Sequence, residues 1–155
     1  MTHERRFEVD GAVAALAFLE AQQGEQDEHS THSNDYYKHK LRQLIVWDAI
    51  ALHTTPSIAH HTVPEVGYCQ RGTGFDILGL WMDHVPDAAA TVEAVLEAYP
   101  RLEIKGEFTG CLCAIARSKP ETTFDNFVAA FGETYVEGYT RSREVETMII
   151  AALRP

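Results

Sequence analysis

Histidines and carboxylates carry most of the chemistry this sequence offers. Its 155 residues include eight histidines, at positions 3, 29, 32, 39, 53, 60, 61 and 84, and 23 acids. His53 ends the apolar stretch Ala49-Ile-Ala-Leu52 and precedes Thr54-Thr55. A histidine at a helix C-terminus gains from the helix dipole. At the mouth of a cavity it carries protons or ligates. Both readings stand for His53. Asp76 leads Ile77-Leu-Gly-Leu-Trp81, either as a helix N-cap or as an oxygen ligand turned into a core. His60 and His61 follow on an irregular piece, and Trp47, Phe75 and Trp81 are candidates for an apolar wall. Asp48 lies among apolar neighbours, so it is hydrogen-bonded in the fold or faces a polar cavity. Glu8 and Asp10 follow Arg5-Arg6; acids there suit the positive end of a helix.

Other candidate chemistry is thinner. His29 and His32 share a polar loop with Asp27, Glu28 and Asp35, a set able to hold a transition metal but without a scaffold to fix it. Cys69, Cys111 and Cys113 are an odd count with no CxxC spacing, which reads as reduced, small core residues. Glycines 72, 74 and 79 are not followed by Gly-Lys-Ser/Thr, so they make no phosphate loop. Neither Gly-x-Ser-x-Gly nor His-Glu-x-x-His occurs.

The elements that must position these groups are helical. Val9, Val13, Leu16 and Leu19 recur at helical spacing, which predicts a helix over 8–23. A polar loop follows through Asp35. The segment 37–53 is the most apolar, and a helix apolar on nearly all sides belongs in the centre of a fold. Thr55-Pro56 ends it. A helix is expected over 64–70, a turn at Arg71-Gly-Thr-Gly74, and a short helix from Phe75 to Trp81. Asp87 is the expected N-cap of a helix stopped by Pro100. Phe108, Leu112, Ile115 and Ala116 mark a helix that Lys119-Pro120 breaks. Helices over 123–131 and 142–153 complete the set. No strand alternation appears, so the chain is expected to be all-α, a single domain over 1–155 without a dividing linker.

Composition narrows the function. Thirteen Lys and Arg against 23 acids give a net charge of −10. That field opposes phosphate backbones and anionic membranes, so neither nucleic acid nor membrane is an expected partner. No run approaches the roughly 18 apolar residues of a membrane helix, and the charged start is not expected to act as a signal peptide. A cytoplasmic location is expected, with a small molecule as ligand.

Three blocks then resemble a known family. Arg6-Phe-Glu-Val-Asp-Gly-Ala12, Ala49-Ile-Ala-Leu-His-Thr-Thr55 and Gly74-Phe-Asp-Ile-Leu-Gly79 occur in the order and at the separations of HD-domain proteins of the cyanamide-hydratase-like group. Pro64-Glu-Val66, Lys119 to Phe127 and Gly138-Tyr139 fit as well, so the resemblance covers nearly the whole chain. It implies an HD-domain-like helical bundle. It implies a divalent metal, zinc or iron, held by a His, a His-Asp dipeptide and a later Asp, which activates water for addition to a small nitrile or hydrolysis of a phosphate ester. On this resemblance Asp76 matches the later Asp ligand, His53 a pocket histidine, and Glu8 a residue of the block after the His-Asp helix. The dipeptide itself is absent: Asp83-His84 has the reverse order, and only five residues precede the Arg6 block. The implied fold is therefore N-terminally truncated.

Two functions follow as expectations. One is a metal-dependent hydrolase or hydratase for a small molecule with an impaired or lost metal site. Its catalytic residues would be His53 and Glu8, its metal residue Asp76, and its pocket Asp48, Trp47, Phe75, His60 and His61. The other is a metal-free binding or regulatory protein, or an interaction protein that forms a homo-oligomer, since missing helices would leave the 41–52 helix partly uncovered.

Overall fold

The structure is a computed structural model and describes residues 5–23, 33–78 and 86–153. The regular structure of the described residues is all helical, with no strand, as the periodicity predicts. They form α1 (Phe7–Gln23), α2 (Ser33–Leu52), α3 (Pro56–Ala59), α4 (Pro64–Leu78), α5 (Ala88–Ala98), α6 (Ile104–Ser118), α7 (Val128–Tyr135) and α8 (Glu144–Ala152), with a 3-10 turn at Pro120–Thr122. The chain folds as two compact units, one of Phe7–Pro100 and one of Met1–Arg6 with Arg101–Pro155.

In the first unit α1 and α2 make an antiparallel hairpin. Two hydrogen bonds fix its direction. Thr54, just past α2, donates to Glu8 Oε1 at 2.6 Å in the first turn of α1. Gln43 Nε2 donates to Glu20 Oε1 at 3.4 Å near the other end. Glu8 and Ala12 are buried and Ala15, Leu16 and Leu19 half-buried, so a stripe at helical spacing faces α2. A Cβ on Gly11 would lie 3.3 Å from the Ile50 side chain, so glycine lets the two helices close up there. α2 also packs on α3 and α4, and α3 on α4.

The apolar composition of α2 does not place it at the centre of the fold. Leu41 and Leu44 are 57% and 63% exposed, because α1, α3 and α4 cover only part of its circumference. Its most enclosed mid-helix position is Gln43, which receives a hydrogen bond from Lys40 Nζ at 3.0 Å while donating to Glu20. Polar satisfaction rather than apolar burial holds that side of the hairpin.

α4 corrects a second expectation. The expected turn at 71–74 does not form, and one helix runs from Pro64 to Leu78. Gly72 and Gly74 are helical, at a cost of about 1 kcal/mol each relative to alanine. Buried Val66, Gly67, Gln70 and Gly74 supply the packed face that offsets it. Residues 79–81 of the expected second piece lie outside the described residues. Asp87 occupies the N-cap position of α5 as expected, but with φ 53° and no side-chain capping bond. Tyr99 ends that helix.

In the second unit α6 packs on α7. Leu112, Cys113, Ile115 and Ala116 are buried and Phe108 is half-buried, the stripe read from the sequence. The helix expected from Thr123 begins only at Val128. Thr123 Oγ1 instead donates to Pro120 O at 2.6 Å, and Asn126 Oδ1 accepts from Val128 N at 3.0 Å, so the polar side chains make turns and defer the helix. Cys113 is a core residue, but Cys69 and Cys111 are exposed, contrary to the reading of all three as core.

Lys119 is 3% exposed and donates from Nζ to Arg5 O at 2.7 Å. Arg6 pairs with Asp125 at 3.2 Å. Together they fasten residues 5 and 6 to this unit. Lys119→Met keeps the apolar stem and removes the donor. It is expected to lower stability by about 1–3 kcal/mol, read as a lower urea midpoint, and an unchanged midpoint would show that the bond contributes nothing.

Candidate functional site at the α1–α2 junction

The candidate residues gather where α1 begins and α2 ends. Pro56 cannot continue the helix, so the chain leaves α2 at His53 and Thr54. That exit sets His53 against α1. Its ring meets the Phe7 ring edge to face, with centroids 6.1 Å apart and an interplanar angle of 81°. Its Nδ1 lies 2.6 Å from Ile50 O. A carbonyl only accepts, so Nδ1 carries a proton, and in the neutral form of the ring the lone pair is at Nε2. His53 is half-buried. The helix end thus fixes one ring nitrogen of His53.

Glu8 has a different setting. It is 1% exposed, and its Oε1 takes the Thr54 hydroxyl. Among the described residues no buried side-chain nitrogen or oxygen lacks a hydrogen-bond partner. Enclosed and bonded in this way, Glu8 holds the residue next to His53.

The remaining candidates are spread along the same unit. His60 is half-buried and bonds from Nε2 to Gln70 Oε1 at 2.5 Å, tying the end of α3 to α4. His61 is exposed. Asp48, Trp47 and Phe75 are half-buried, Asp48 and Trp47 on α2 and Phe75 on α4. Asp76 is exposed, in the last turns of α4 and not at its N-cap. Trp81, His29 and His32 lie outside the described residues. Sequence reasoning missed Thr54 and Gln70, the partners of Glu8 and His60. Thr54 was legible only as part of a helix stop, and Gln70 carried no pattern at all.

A catalytic zinc or iron of the kind the resemblance implies needs three or more protein ligands in fixed geometry. Among the described residues no three of His, Cys, Asp and Glu come together to hold one. Asp76 at the surface and His53 at the hairpin end are single donors. The described residues do not fit the metal centre that the resemblance implies.

No family model, no curated protein and no solved structure matches this chain. No helix among the described residues is long and apolar enough to cross a membrane.

Proposed function

We propose that this chain is an HD-domain-type helical protein that binds a small molecule through the Phe7–Pro100 unit, with His53 Nε2 as its principal polar contact and without a metal centre of the family's kind. What supports the reading is a convergence. Two of the three blocks that carry the resemblance, 6–12 and 49–55, are more than 35 residues apart in sequence. They meet through the Thr54–Glu8 hydrogen bond, the Gly11–Ile50 approach and the Phe7–His53 ring contact. The third block begins in α4, which packs on α2. A half-buried imidazole with one nitrogen anchored suits a ligand that donates an N–H or O–H, or a proton taken in acid-base work.

The test is a titration followed by the ring ¹⁵N resonances of His53. Small nitriles, the matching amides and phosphate monoesters are the probes. One of these classes is expected to shift the His53 Nε2 signal saturably, and His53→Gln to abolish the response while leaving the fold intact by circular dichroism. If no probe class moves His53, or if binding persists in His53→Gln, the proposal fails.

Asp76→Asn carries a second expectation. Asp76 is exposed and belongs to no ligand group among the described residues, so the substitution is expected to leave the His53 titration unchanged. A loss of binding in Asp76→Asn would return Asp76 to the site.

A further inference from the structure

We infer that residues 5 and 6 are a strap through which one unit stabilises the other, the Phe7–Pro100 unit that carries His53. The inference does not depend on the small-molecule reading. The order of the chain is the first observation behind it. One unit takes in both Met1–Arg6 and Arg101–Pro155, so Phe7–Pro100 is inserted in its sequence. The insertion begins after Arg6 and ends before Arg101, and the residue beyond each end is held. Arg101 is half-buried, and its carbonyl accepts from Ile104 N at 3.0 Å where α6 begins. Residues 5 and 6 lie in no helix, and side chains of 119 and 125 reach back to hold them. Lys119 Nζ donates to Arg5 O at 2.7 Å, and Arg6 Nη1 donates to Asp125 Oδ2 at 3.2 Å. Lys119 is 3% exposed. An ammonium so enclosed is costly to leave unbonded, so the strap does not open freely.

Polymer physics supplies the consequence. A segment held at both ends unfolds into a closed loop and not into a free chain. It therefore gains less conformational freedom on unfolding, which favours its folded state. For a loop on the order of 100 residues the restriction resembles that of a disulfide across the same ends. A non-covalent strap can also open first, so its effect is limited by what it takes to open it. A hydrogen bond from a charged donor is worth about tenfold or more in an equilibrium constant, and an exposed ion pair about threefold. The strap acts through the chain ends. Opening it at Lys119 loosens α1 and α2 while changing no residue of theirs.

Native-state amide exchange on the full chain is the experiment, because it reads both units at once. Lys119→Met is expected to speed exchange of the α2 amides about tenfold. Asp125→Asn removes only the ion pair and is expected to speed them about threefold. Gly132→Ala is the control. It crowds Tyr139 in the unit that holds Lys119, and it alters neither strap bond. It is expected to speed exchange in α6 and α7 and to leave α2 as in the parent. Tryptophan fluorescence gives a second reading, since Trp47 and Trp81 both fall within 7–100. Its urea midpoint is expected to fall in Lys119→Met and to hold in Gly132→Ala. Unchanged α2 exchange in Lys119→Met overturns the proposal. So does an equal response of α2 to Lys119→Met and Gly132→Ala, since the units would then share stability by a route other than the strap. If Lys119→Met does not fold, Asp125→Asn decides, and α2 exchange at the parent rate there overturns the proposal.

Discussion

Glu8→Ala is expected to destabilise the Phe7–Pro100 unit by about 2–4 kcal/mol, the sum of an unfilled volume and a lost hydrogen bond. The side chain is 1% exposed, and the Thr54 hydroxyl is aimed at it. Removing the carboxylate leaves that hydroxyl without its acceptor at the point where the hairpin ends meet. Glu8→Gln keeps the volume and an acceptor oxygen, so it is expected to cost less than half as much. Thr54→Val removes the donor and keeps the shape. If the pair acts as a unit, Glu8→Ala with Thr54→Val costs less than the sum of the two. Urea unfolding of the parent and the four variants, followed by the near-ultraviolet signal, checks this. Equal midpoints for Glu8→Ala and the parent would mean that the buried acid holds nothing. His53 adds a second readout, because its ring lies beside Thr54 and Phe7. Loosening the hairpin end is expected to broaden its ring resonances.

Gly132→Val is the second large effect, in the other unit. A Cβ at Gly132 would stand 2.7 Å from two Tyr139 ring atoms and 2.8 Å from a third. The ring cannot simply swing away, because its hydroxyl is paired at 2.5 Å with Thr123, a residue of 0% exposure. Either α7 shifts or the Thr123–Tyr139 contact breaks. Overpacking of this kind costs about 1–3 kcal/mol and the lost hydrogen bond about 1 kcal/mol more. Gly132→Ala regains about 1 kcal/mol of helix propensity, so it is expected to be milder but still destabilising. Trimming the ring in a Tyr139→Leu background is expected to remove most of the penalty of Gly132→Ala. A penalty that persists in that background would place the clash somewhere other than Tyr139.

The helices were legible because their apolar spacing is strong: 108, 112, 115 and 116 face inward together, and Pro56, Pro100 and Lys119-Pro120 stop helices where the backbone rule requires. What the pattern could not show was what each face would meet. Leu41 and Leu44 have the same residue type as Leu112, yet they are exposed, since α1, α3 and α4 pack on other sides of α2 among the described residues. Gln43 is polar, yet it is enclosed because Lys40 and Glu20 complete its hydrogen bonds. The glycines at 72 and 74 read as a turn, and the packed face of α4 overrode them. At the site, His53 could be picked out from its place at the end of an apolar run. The partnership of Glu8 with Thr54 could not, since 46 residues separate them and only the hairpin brings them together. Asp76 stood out as a carboxylate leading an apolar segment, but no helix starts there: it lies exposed in the last turns of α4.

Metal content is the most direct test of the account. The chain, purified without a histidine tag and dialysed against chelator-free buffer, is measured for zinc, iron, manganese and nickel by elemental analysis. The account predicts a substoichiometric total that does not change in Asp76→Asn or His53→Gln. One tightly held metal per chain, lost in either variant, would contradict it and restore metal-activated water as the chemistry of this fold.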